Sequence, residues 1–162
     1  WVSINQELAR DNTQTEGNYL VSGPNVVFEN ENALQETLAT IWRNSSIQMD
    51  ALCRAFGIDC YHFLQPNQYV EGSKPMGQAE FALAINLQRH PMATKGYPHL
   101  IEFGKSLPGS GVFFHDLTQL FEHTEDAMYA DACCHLNSAG YQIVGESIVE
   151  WVLADGFGGA RK

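Results

Sequence analysis

The chain is short of positive charge, of cysteine and of long apolar runs. Lysine and arginine total 9 against 19 aspartates and glutamates, so 162 residues carry a formal net charge of −10. A phosphate backbone is repelled by such a surface, which argues against nucleic acid as a partner. No apolar run approaches the roughly 18 residues that a membrane helix needs. The four cysteines, Cys53, Cys60, Cys133 and Cys134, are too few for a disulfide-dense scaffold. That density favours free thiols, with a Cys53–Cys60 bridge left open. The first residue is Trp1, and the polar stretch to Asn18 has no apolar signal-peptide core. The chain therefore reads as a processed or truncated product. Internal repeats and splitting linkers are also missing, so residues 1–162 read as one domain with an irregular segment over 1–28.

What is present is a patterned α/β sequence of ordinary composition, 44% apolar and 17% charged. From Asn30, the residues Leu34, Leu38, Ile41, Trp42, Met49, Leu52, Cys53 and Phe56 recur at helical spacing, and Gly57 stands where a helix ends. Ile58 to Leu64 is short, apolar and aromatic, the composition of a buried strand, and Pro66 stops it. Ala79–Leu87 and Pro98–Leu107 read as short helices, the second with Pro98 near its first turn. Val112–Phe114 reads as a second strand, followed by a surface turn at His115-Asp116. Ala139–Leu153 reads as a final helix with a wide apolar face. Helix then strand with one glycine between them is half of a parallel unit. Two strands do not complete a sheet, so the pattern suggests part of a larger α/β layer.

A histidine that activates a hydroxyl must lie at a cleft and be oriented by an acid. A strand-to-helix loop at the carboxyl edge of a parallel sheet supplies that place. His135 sits on such a loop, Asp131 lies just before it, and Asn137 and Gly140 open the final helix. Gln65, Asn67 and Gln68 lie on the loop leaving the first strand, where they are candidates to line a substrate pocket. His62, inside the strand, reads as a hydrogen-bonded core histidine. The spacing of Cys133-Cys134-His135 matches no common metal site.

The block Asp131-Ala-Cys-Cys-His135-Leu-Asn137-Ser-Ala-Gly140 resembles the last motif of SGNH/GDSL-type serine hydrolases. Tyr61-His-Phe-Leu-Gln-Pro-Asn-Gln-Tyr69 and Gly111-Val-Phe-Phe-His-Asp-Leu-Thr118 resemble the segments that precede it. The likeness runs over roughly residues 35–153. It implies a partial flavodoxin-like three-layer α/β/α sandwich with a short parallel sheet. It also implies hydrolysis of an ester, a carbohydrate O-acetyl group among the options, with His135 as base, Asp131 as acid, and no metal or organic cofactor.

Two departures accompany the resemblance. The family's acid stands three residues before the histidine, a position held here by Ala132. Either the loop has gained a residue, or the acid comes from elsewhere, or the histidine works without one. The Gly-Asp-Ser nucleophile block and the oxyanion blocks are absent, as is any Gly-x-Ser-x-Gly elbow. Gly145-Glu146-Ser147 lies inside the final helix and reads as structural. The resemblance thus corresponds to the family's C-terminal half, with the missing N-terminal half as a separate chain or lost. The competing reading is a non-catalytic binding or structural module.

Overall fold

The computed structural model describes residues 27–88 and 90–156. The described residues from Gln35 onward belong to one compact unit. Most of the irregular segment expected over 1–28 lies outside the described residues.

Helix α1 spans Glu31–Ala55. Asn30 caps it, its Oδ1 accepting the Ala33 N–H at 2.9 Å. At the other end Gly57 takes φ +67°, which lets Ile58 N–H reach the Cys53 carbonyl and Gly57 N–H that of Arg54. This paired closure needs a left-handed residue, and glycine adopts it without a Cβ clash. The reversal returns Cys60 to Cys53, and the two form a disulfide. Cysteine density had favoured free thiols; proximity created by the helix end overrides it. Cys133 and Cys134 are free.

The buried face of α1 matches only in part the apolar one read from the sequence, Trp42 facing the strands. Gln35, Ala39, Ser46 and Asp50 are buried, whereas Leu38, Ile41, Met49 and Leu52 are exposed. The small and polar residues allow close approach to the strands, and each polar one meets a partner: Ser46 meets His62 Nδ1, and Asp50 meets Arg54 at 3.0 Å.

Strand β1, Tyr61–Leu64, pairs in parallel with β2, Phe113–Asp116. The register sets His62 beside Phe114 and Phe63 beside His115. Side chains alternate between faces along a strand. Trp42 of α1 packs edge-on against His62 and Phe114, the pair on one face. On the other face Trp151 stacks on His115 at 4.2 Å. His115 therefore belongs to the strand, not to a surface turn, and its Nε2 pairs with Asp155 at 2.7 Å.

Between the strands lie α2, Gln78–Ala84, and α3, Pro91–Gly104. Pro91 starts α3, so Pro98 falls inside the helix and not in its first turn. There it forgoes one backbone hydrogen bond. Gly104 gives room to Phe114: a Cβ at that glycine would stand 2.6 Å from the ring. The last helix, α4, spans Ser138–Ala154. A core of Ala84, Phe121, Met128, Tyr129 and Leu136 joins α2 to the segment before α4. The described chain is thus mixed α/β with helices around a short parallel sheet. No described helix is long and apolar enough to cross a membrane.

Candidate functional site

The two strands are parallel, so their carboxyl ends lie together, and the chain leaves both at the same edge. From β1 the loop 65–69 follows. The segment before α4 folds back on itself beside it: Tyr129 bridges Leu136, Ala130 N–H reaches the His135 carbonyl at 2.8 Å, and Asn137 N–H reaches that of Met128. Asn137 then caps α4, accepting the Gly140 N–H at 2.9 Å. Gly140 is required by this fold-back, since a Cβ there would lie 2.9 Å from the Met128 oxygen.

At the tip of the fold-back stand Asp131 and His135. Asp131 Oδ2 lies 2.6 Å from His135 Nδ1. Its other oxygen accepts the Cys133 N–H at 2.7 Å and, more weakly, the His135 N–H at 3.4 Å. Cys134 takes φ +72°. One left-handed residue tightens the loop enough for an acid four positions back to reach the ring. Asp131 and His135 are thus paired across the loop despite the four-residue spacing. The imidazole and the Cys133 N–H hold the Asp131 carboxyl below its ordinary pKa. With Nδ1 engaged, Nε2 is the nitrogen left for a proton transfer. Among the described residues no hydroxyl bonds to this imidazole.

Beneath the tip is a buried ion pair that sequence reading missed. Lys74 Nζ lies 2.9 Å from Glu80 Oε2, with side chains 0% and 3% exposed. Glu80 Oε1 accepts the Met128 and Tyr129 N–H groups at 2.7 and 2.9 Å. Lys74 also donates to the carbonyls of Pro75 and Thr124. Burial opposes the charge on Glu80, but the two backbone donors and Lys74 outweigh it and hold its pKa below the ordinary value. The sequence signal was weak, because a lysine and a glutamate on polar-looking stretches usually face water.

The three residues of the β1 loop divide. Gln65 is exposed and reaches both the Tyr97 hydroxyl and the Cys134 thiol. Asn67 and Gln68 are each only 5% exposed. Asn67 Oδ1 accepts the Tyr69 N–H, and Gln68 Nε2 donates to the carbonyls of Ala84 and Asp131. These buried amides bond the chain's own backbone and shape the loop, and Gln68 also lines a cleft of about 370 Å³. Burial raises the pKa of Tyr97 and of Cys134, and that of Tyr129 more strongly, so this inner layer is uncharged at neutral pH.

Two clefts among the described residues lie elsewhere. One of about 370 Å³ is lined by Tyr69, Val70, Met76, Phe81 and Ile85 among others. Another of about 420 Å³ runs between α1 and α3, past Leu38, Trp42, Met92 and Tyr97. Neither includes Asp131 or His135 in its lining. Ser147 is buried on α4. Among the described residues no group of three or more His, Cys, Asp or Glu side chains converges on a metal position. No protein-family model, curated protein or solved structure matches the chain.

Proposed function

We propose that the chain is part of an SGNH/GDSL-type serine esterase in which His135 is the general base. The observation that carries this is the 2.6 Å contact between His135 Nδ1 and Asp131, at the carboxyl edge of a parallel strand pair. An acid on Nδ1 fixes the tautomer with Nε2 free to accept a proton. His135 then takes the proton of a serine hydroxyl as that oxygen attacks the ester carbonyl, and returns it to the departing alcohol. Water attacks the acyl-enzyme in the second half, again through His135. This chemistry calls for no metal or organic cofactor. The substrate class is a small or carbohydrate ester, an O-acetyl group being the simplest case.

The serine and the oxyanion donors come, in this proposal, from the family's N-terminal half, as a separate chain or segment. That half would extend β1 and β2 into a flavodoxin-like three-layer sandwich. Exposed Leu38, Ile41, Met49 and Leu52 on α1, with Phe56 just after it, support a further packing layer. The second reading is a binding module that keeps the loop without the chemistry, and the two described clefts, lined away from Asp131 and His135, favour it.

A fluorophosphonate that reacts with activated serines separates the two. The esterase reading expects labelling of the assembly that contains this chain, and p-nitrophenyl acetate turnover that is lost in His135→Ala. An unlabelled assembly, with turnover indifferent to His135→Ala, would leave the binding module.

A further inference from the structure

We propose that Gln68 and Tyr69 are positioning residues that set the Asp131–His135 pair, clamping the acid's backbone to the end of α2. The inference rests on reading that pair as the acid and base of the site. Gln68 Nε2 donates to the Asp131 carbonyl at 3.0 Å and to the Ala84 carbonyl at 3.2 Å. Tyr69 Oη donates to the Ala132 carbonyl at 2.8 Å and accepts the Asn86 N–H at 3.1 Å. Two adjacent residues thus make the same bridge, from the carboxyl end of α2 to consecutive carbonyls of the acid segment. The bridged segments lie 63 residues away in sequence from the loop that clamps them on the acid side.

The clamp acts where the loop has least support of its own. Glu80 anchors Met128 and Tyr129, and the Ala130–His135 backbone bond closes the fold-back. Between those fixed points Asp131 and Ala132 are half-exposed, and Cys133 is exposed. A peptide held by its carbonyl is held in rotation as well. Fixing the carbonyls on both sides of the Ala132 peptide unit therefore sets the direction in which the Asp131 carboxylate and the following amides point. Loss of either bridge leaves a fold with its core intact but an acid free to swing away from the ring, and a displacement near 1 Å at such a site costs about 10²-fold in rate.

The test is the carboxyl titration of Asp131, followed by carbon NMR in the full chain and in Tyr69→Phe and Gln68→Met. Both variants keep side-chain volume. The clamp predicts that Asp131, held low by His135 and the Cys133 N–H, moves up towards its ordinary value in both, while Glu80 titrates unchanged. A change in overall stability alone would not move one carboxylate and spare the other. Should one variant fail to fold, the other reads the same bridge. An Asp131 that titrates in either folded variant as in the unaltered chain overturns the proposal. The measurement needs no ester turnover, so it stands or falls separately from the esterase reading. In an active assembly the same variants are expected to lower kcat by about 10²-fold with KM little changed.

Discussion

His135 Nδ1 meets Asp131 Oδ2 at 2.6 Å across four positions of chain, and Cys134 between them holds φ +72°. The left-handed residue and the acid–histidine contact are one feature. An extended or right-handed Cys134 would carry the ring off the carboxylate. The acid accepts from the ring and from the Cys133 amide together, so the carboxylate orders the turn that presents the base.

Replacing Asp131 with asparagine keeps the shape and removes the charge that selects the tautomer. In an active assembly the expected loss in kcat is about 10⁴-fold, as for a triad that loses its orienting acid. Nitrogen NMR of the ring should show the Nδ1–H form replaced by a mixture. A variant that retains full turnover would remove Asp131 from the mechanism.

Cys134 carries the backbone demand of the loop. A β-branched side chain in left-handed backbone is disfavoured by about 1–2 kcal/mol. Cys134→Val is expected to lower the melting temperature by about 2–8 °C, at the few degrees per kcal/mol of a domain this size. Cys134→Gly relieves the backbone and should cost less. Calorimetry of the two, side by side, checks the order.

The Lys74–Glu80 pair governs acid stability. Glu80 has a folded pKa below its ordinary 4.5. Its contribution is complete above the unfolded value and is lost as pH falls through the folded one. The melting temperature of the unaltered chain should therefore drop on acidification below about pH 4.5 more steeply than that of Glu80→Gln. Lys74→Met leaves the carboxylate buried without its cation and is expected to cost about 3–5 kcal/mol. The double variant Lys74→Met, Glu80→Gln should recover part of this, because the glutamine oxygen still accepts the Met128 and Tyr129 amides.

His62 acts in a higher pH window and in the same direction. Burial lowers its pKa below 6.5, and its Nδ1 is engaged by Ser46. Below 6.5 the unfolded chain binds a proton that the folded chain refuses, so stability falls as pH drops from the unfolded value towards the folded one. His62→Gln should flatten the melting curve against pH in that window. An unchanged slope would mean that other groups set it.

The disulfide closes a short loop, Cys53 to Cys60, with a sequence separation of 7. Chain entropy assigns such a loop about 2.5 kcal/mol. Alkylation of the unreduced chain should mark Cys133 and Cys134 only, and reduction should expose the other two and lower the melting temperature by about 5–10 °C. Four reactive thiols without reductant would contradict the bond.

The sequence alone determined the elements and their order, because apolar spacing, caps and breakers act over a few residues. Asn30, Gly57 and Asn137 mark helix ends by local hydrogen bonds, and all three do so here. Proline misled where two occurred in one helix, since Pro91 and Pro98 both look like starts. The candidate base His135 was legible from its block, and Asp131 only as a neighbour out of step.

Tertiary structure decided the rest, because those properties depend on partners far along the chain. The backbone of Cys134 gave Asp131 its reach. Packing against the strands and α3 turned Gln35, Ser46 and Asp50 of α1 inward and left Leu38 and Leu52 outside. The buried Lys74–Glu80 pair and the bridges from Gln68 and Tyr69 join segments about 50 to 63 residues apart. No local pattern encodes such contacts, since a buried amide and a solvated one look alike until the chain around them has closed.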